Sequence, residues 1–282
     1  MSPPLLIVNA DDYGLTEAVS AGILRASREG VVTSTSVLAV APGFARTGKW
    51  LADEGGLGVG VHLAVVGEDP PLLPASEVPT LVDRRGRFPV SWKVFLPRCV
   101  AGRVDPDDIR RELTAQVEAV AALGVEVDHL DSHQHLHMWP LLAPVVIELA
   151  RARGIPAIRV PRSHGRSPVS IVVNRLAGRL ASAARRAGLR FPEDASGVDE
   201  AGHLDGPKLV AALDRFVARG AASAELGTHP GEADDPERHR YRWDYTWQDE
   251  LGVLVAPESR RAVEARGFRL GSYRDLAGLP AS

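Results

Sequence analysis

Leu5-Leu6-Ile7-Val8-Asn9-Ala10-Asp11-Asp12-Tyr13-Gly14 governs how the rest of the chain reads. Four large apolar residues run into a pair of carboxylates, and a glycine closes the turn. A continuous apolar run bounded by turn residues is the pattern of a strand buried on both faces, as in a parallel sheet. Acids at the end of such a strand stand at the carboxyl edge of the sheet, where α/β proteins place their chemistry. The plainer alternative is a strand end whose aspartates cap a turn or a helix.

Downstream, Thr16-Glu17 opens a helical pattern that stops at Gly30, and Val31 to Val40 reads as a second buried strand. Strand, helix and strand in some forty residues make a right-handed βαβ unit. A short helix around Phe44 to Ala52 precedes a third strand, Leu57 to Val65, with His62 in its second half. Residues 67–106 are rich in proline and poor in periodicity, which predicts a long irregular excursion. An amphipathic helix capped by Asp105 to Asp108 then leads through strand Val125–Leu130 into Asp131-Ser132-His133-Gln134-His135-Leu136-His137. A helix from Pro140 to about Arg153 and a strand from Ile155 to Val160 follow. The second excursion, 161–206, holds a basic amphipathic helix from Val169 to Ala187, expected to cover the site entrance with a solvated face. After a helix from Pro207 to Arg219, the strand Ala224-Glu225-Leu226-Gly227-Thr228 ends in His229-Pro230-Gly231. Strands alternate with helices throughout and no linker separates two cores, so residues 1–282 read as one α/β domain with a parallel sheet, open or closed into a barrel.

The bulk properties narrow the function. Of the 282 residues, 45% are hydrophobic and 24% charged, enough for a sizeable core. The formal net charge of -3, with no long run of one sign, argues against a nucleic-acid partner and gives no reason to invoke a membrane surface. The single cysteine, Cys99, permits no internal disulfide and reads as a packed thiol. With neither a signal peptide nor a long apolar segment, a cytoplasmic protein without membrane insertion is expected.

Four strand ends carry the unusual polar residues: Asp11 with Asp12, His62, the His133 to His137 cluster, and His229. In a parallel α/β fold these ends share one face, so the residues converge. One carboxylate and two imidazoles suit a catalytic divalent metal with open positions, and a second carboxylate beside it can move a proton. In extended backbone His133, His135 and His137 would share a face but span too far for one ion, so at least one of them is assigned to substrate or to a supporting role. Asp131 is placed to hydrogen-bond a neighbouring ligand histidine or, alternatively, to cap the turn.

The motifs NADDYG, VTSTS, GVHL, HLDSHQHLHMWP, THPG and RGFRLGSYRDL are collinear from about residue 5 to residue 275. Together they resemble the YdjC-like carbohydrate deacetylases. The resemblance implies a distorted (β/α) TIM-like barrel and a divalent-metal hydrolase that removes N-acetyl groups from amino sugars. It implies Asp11 as general base, Asp12, His62 and His133 as metal ligands, and His229 as acid or oxyanion partner. Asp131, His135, His137 and Tyr13 are expected to support ligands or touch substrate, and Gln134, where many relatives have histidine, to point away from the metal. The metal is expected to be zinc or magnesium, a homodimer is the family expectation, and the two excursions are expected to shape the sugar pocket. Two rival readings are a metal-dependent phosphoesterase and a non-catalytic sugar-binding protein.

Overall fold

The structure, a computed structural model, describes residues 3–279. Eight strands are all parallel: β1 (Leu5–Tyr13), β2 (Ser34–Val37), β3 (Gly58–Leu63), β4 (Val127–Ser132), β5 (Ala157–Ile158), β6 (Asp194–Ser196), β7 (Ser223–Thr228) and β8 (Arg269–Leu270). Their order is β5-β4-β3-β2-β1-β7-β6, with β8 added to the start of β1. The helices are α1 (Glu17–Glu29), α2 (Pro42–Thr47), α3 (Trp92–Val100), α4 (Pro106–Ala121), α5 (Ala143–Ala152), α6 (Pro168–Arg186), α7 (Gly206–Arg219), α8 (Trp247–Val255) and α9 (Pro257–Ala265).

The sheet curls into a distorted (β/α) barrel. Just before β6, Arg190 exchanges backbone hydrogen bonds with the β5 edge, donating to Pro156 and accepting from Ile158 at 2.9 Å each, so the two ends of the strand order meet. Side chains confirm the curl. Leu5 and Ile7 of β1 pack with Ala157 of β5 and with Tyr273 and Leu276, although β1 and β5 are four places apart in the sheet. Only contact across a barrel interior allows that.

The period of two along a strand then decides what faces the lumen. Leu6, Val8 and Ala10 point out into the main core beneath the helices, whereas Leu5, Ile7, Asn9 and Asp11 line the inside. The lumen is therefore apolar at the amino ends of the strands and polar at their carboxyl ends. Each fully buried leucine or isoleucine of β1 contributes roughly 2 kcal/mol of apolar burial, which anchors the strand that carries the acids.

Several elements differ from the sequence reading. The excursion 67–106 is not wholly irregular: it contains α3, which the prolines at 89 and 97 obscured. The excursion 161–206 contributes the three-residue strand β6 besides the expected helix. The His133–Met138 segment is not extended but a 3₁₀ turn, with Gln134 and His135 at φ of 53° and 54°. Among the described residues, no helix is long and apolar enough to cross a membrane.

Candidate metal centre

Asp11 and Asp12 do not separate because of Gly14, whose φ of +95° serves the turn after the strand. The break is at Asp12 itself, with φ of 67°. Opposite β2, Ala10 pairs with Thr35 and Tyr13 with Val37, so two residues of β1 face the single residue Ser36. This is a β-bulge, which re-aims a side chain that strict alternation would send out of the barrel. Asp12, Gln134 and His135 are the non-glycine residues with positive φ among those described, and all three line one cleft. An αL conformation costs an L-residue roughly 1–2 kcal/mol, and such strain concentrates at working sites.

The bulge brings Asp12 Oδ1 to 3.5 Å from His62 Nε2 at the end of β3 and 3.5 Å from His133 Nδ1 just after β4. That oxygen is buried and has no hydrogen-bond partner. Ligand atoms about 2.0–2.1 Å from one ion at tetrahedral angles stand about 3.4 Å apart. The spacing, the orphaned oxygen and the O/N/N donor set all fit a divalent cation, and the Asp12, His62 and His133 ligand atoms lie within 4.8 Å of one another. Burial opposes the Asp12 charge, but His133 and His62 outweigh it and lower its pKa, so the carboxylate is ionised.

Behind this trio the side chains form a supporting layer. Asp131 Oδ1 lies 2.9 Å from His62 Nδ1, which turns Nε2 toward Asp12. Burial disfavours a charged His62, yet Asp131, Asp11 and Asp12 outweigh it and raise its pKa to about 9. Arg159, just beyond β5, is the hub. It donates to both oxygens of Asp11 at 2.7 Å, to Asp131 at 2.5 Å and to Glu225 of β7 at 2.8 Å. Burial pushes the Asp11 pKa up, but Arg159 and then His62 outweigh it and hold the carboxyl well below its usual range. Asn9 donates to Asp11 at 2.8 Å and to Ser36 at 2.9 Å, and Ser36 donates to Asp131 at 2.9 Å. Three buried carboxylates (Asp11, Asp131, Glu225) thus share a single guanidinium.

A second possible ligand group, Asp11 with His62 and Asp131, shares this space. Arg159 already occupies it, bonding both acids. Among the described residues this leaves Asp12, His62 and His133 as the candidate cation site.

His229 Nε2 lies 3.9 Å from Asp11 Oδ2, across the cleft from the histidine pair. Its backbone N–H donates to Glu250 at 2.6 Å, which fixes the turn after β7. Trp243 stacks on His133 with ring centres 5.0 Å apart, and Tyr245 meets His229 edge-on at 4.9 Å. Glu68 accepts from the Trp243 indole at 3.0 Å, and Asp69 accepts from Tyr241 at 2.8 Å. The loop after β3 thereby ties down this aromatic wall.

The remaining sequence candidates lie as follows. His135 lines the cleft, and burial with Arg159 lowers its pKa to about 3, so it is neutral. His137 is buried and turned away: its ring bonds Ser132 at 2.7 Å and the Arg159 carbonyl at 3.0 Å, steadying the hub from behind. Tyr13 also faces away, its hydroxyl donating to the Thr47 carbonyl in the core at 2.8 Å. Gln134 stays beside His133, with 3.4 Å between their Nε2 atoms, and accepts from the Trp92 N–H at 2.8 Å. It clamps the start of α3 to the ligand loop because the backbone there is turned, not extended. Cys99 is half-buried on α3 without a partner cysteine, and burial raises its thiol pKa to about 11.

The cleft holds about 480 Å³ and is lined by Asp11, Asp12, His62, His133 and His229, by Ser91 to Lys93, and by Val169, Val173, Val198 and Ala201. A wider groove of about 830 Å³ between α5 and α6 carries no acid–histidine cluster. Chemistry rather than size picks out the cleft.

Sequence reasoning missed Arg159, Glu225 and the Trp243–Tyr245 wall. The signal for the first two was a charged residue inside an otherwise apolar strand, on two strands at once.

A family model described as YdjC-like protein matches residues 5–265. A chitooligosaccharide deacetylase of Proteus mirabilis (strain HI4320) is 33% identical over 279 residues, covering 96% of this chain and 98% of its own. A carbohydrate deacetylase of Geobacillus stearothermophilus is 31% identical, with coverage of 98% and 100%. Among solved structures, an Enterococcus faecalis V583 protein provisionally described as a cellobiose-phosphate cleavage protein superposes with a TM-score of 0.81 at 28% identity, covering 98% of this chain and 99% of that one.

Proposed function

The chain belongs to the YdjC-like family, and on that footing we propose that it is a divalent-metal-dependent hydrolase that removes the N-acetyl group from an amino sugar or an N-acetylated glycoconjugate. The observation that carries this reading is the orphaned Asp12 oxygen, held equally far from two histidines and beside a second carboxylate that is not needed as a ligand.

Asp12, His62 and His133 would hold the metal, zinc or magnesium, with the imidazole pair favouring zinc. When bound, such an ion supplies Lewis acidity and lowers the pKa of water. Asp11 supports the reading of a general base. Arg159 keeps it ionised and fixes its plane, with Oδ2 on the side of His229. His229, 3.9 Å from that oxygen, is positioned to give a proton to the leaving amine or to donate to the developing oxyanion. The aromatic wall offers a sugar face an apolar surface on which to rest. The segments 67–106 and 161–206 reach the cleft through Trp92, Val169 and Val198, and in this proposal they shape the saccharide pocket.

A two-metal phosphoesterase is disfavoured because Arg159 fills the second acid cluster. Acetate release from a panel of N-acetylated sugars, with and without chelator and beside phosphorylated disaccharides, separates the readings. In the same assay Asp11→Asn should retain metal yet lose about 10²–10⁴-fold in rate. Wild-type turnover by that variant, or phosphate release in place of acetate, would overturn the assignment.

A further inference from the structure

We propose that the face formed by α3 and the amino-terminal half of α6 docks this protein on an anionic lipid bilayer, with the mouth of the cleft toward the lipid.

The first observation is where exposed apolar side chains gather. Among the described residues ten large ones stand exposed, and seven of these fall within residues 90–100 or 169–172. Ile171 is 65% exposed and Val172 52% exposed on α6, and Val94 is 49% exposed on α3. Soluble proteins rarely cluster such residues unless the patch meets another apolar phase.

The second observation is charge. Residues 84–104 carry six Lys or Arg, and residues 161–190 carry seven. Neither stretch contains any of the chain's 36 Asp and Glu, although the whole protein has a net charge of -3. Along α6, Val172, Arg175, Arg179 and Arg186 recur at helical spacing and form one outward stripe, apolar at its start and cationic thereafter. An apolar tip surrounded by cations matches a bilayer whose anionic headgroups overlie its acyl region. Trp92, at the rim, is the residue type that settles at such an interface. A nucleic-acid surface would use the cations but has no use for Ile171 and Val94 in solvent.

The third observation is continuity. An apolar groove of about 380 Å³ runs between α3 and α6, lined by Trp92, Leu96, Trp139, Val172 and Leu176. It shares Trp92, His135, Met138 and Val169 with the cleft. Docking on this face therefore puts the cleft mouth at the surface of the bilayer.

Vesicle sedimentation tests this on the full chain, with phosphatidylcholine alone against phosphatidylcholine containing about one-third phosphatidylglycerol. The wild type should sediment with the mixed vesicles in about 0.1 M salt, release in about 0.5 M, and ignore pure phosphatidylcholine. Replacing Arg175, Arg179 and Arg186 together by Glu should weaken binding by roughly 100-fold or more. Ile171→Ser, which removes the apolar side chain without changing charge, should weaken vesicle binding while leaving retention on a heparin column unchanged. All four side chains are exposed, so the variants should keep the wild-type circular dichroism spectrum. Absence of wild-type binding to anionic vesicles, or equal binding by the arginine variant, overturns the proposal. So does an Ile171→Ser protein that binds vesicles as well as wild type, because the patch would then be a general polyanion site. None of these readouts depends on deacetylation, so they stand apart from the test of the catalytic reading.

Discussion

Asp11 and Asp12 are neighbours in the chain and opposites in their surroundings. Asp11 has both oxygens engaged by Arg159 and one also by Asn9, and that carboxylate is electrostatically complete. Asp12 has an oxygen buried with no partner and two imidazole nitrogens 3.5 Å away. One acid is bonded by a guanidinium, and the other faces two imidazoles. The difference comes from a single bulge, which sends successive side chains into two halves of one cleft. Protein groups thus separate a guanidinium-bound carboxylate from a candidate metal ligand within two adjacent residues.

The largest expected effect breaks the Asp12 side. Asp12→Ala should abolish stoichiometric metal binding, read by elemental analysis, and reduce acetate release by about 1,000-fold or more. It should lower the thermal stability of the metal-free protein modestly, because His133 and His62 stabilise the buried carboxylate. Arg159→Met acts on the other side. It strands Asp11, Asp131 and Glu225 without their shared partner, so urea unfolding should show a loss of about 3–5 kcal/mol. Its pH–rate profile should also change. With Arg159 gone the Asp11 pKa rises, and the acid limb of activity moves to higher pH. An unshifted acid limb would mean that Arg159 only braces the fold.

How much of this contrast could be read in the sequence depends on whether the signal is local. The strand ends at Asp12, His62, His133 and His229 announce themselves because a polar residue closes an apolar run. Their convergence then follows from parallel topology. The Asp12 bulge could not be read, since nothing in Asn9-Ala10-Asp11-Asp12 marks which residue takes positive φ. Arg159 and Glu225 each look like an interruption of a strand until the barrel brings them together across 66 residues. The turned backbone at Gln134 and His135 defeated the assumption of an extended histidine run, and prolines hid α3. The net charge of -3 averages an acidic body with two acid-free, basic segments beside the cleft, a local contrast that a total does not show.

The smallest predicted effect probes the link between the two halves. Asp131 touches both, bonding His62 on the metal side and Arg159 on the other. In the wild type, His62 without metal carries a proton up to a pKa of about 9. A cation at Nε2 must displace that proton, so binding near neutral pH releases about one proton and apparent affinity climbs about tenfold per pH unit until about pH 9. Asp131→Asn removes the charge that most raises the His62 pKa. Proton release measured by calorimetry in buffers of different ionisation enthalpy should therefore fall at pH values where the wild type still releases a full proton. Affinity at high pH, where His62 is neutral in both proteins, should drop about 10–100-fold from lost orientation of the ring. Unchanged proton release with weakened affinity would confine Asp131 to positioning; loss of both shows that the same carboxylate sets the ring's geometry and its charge.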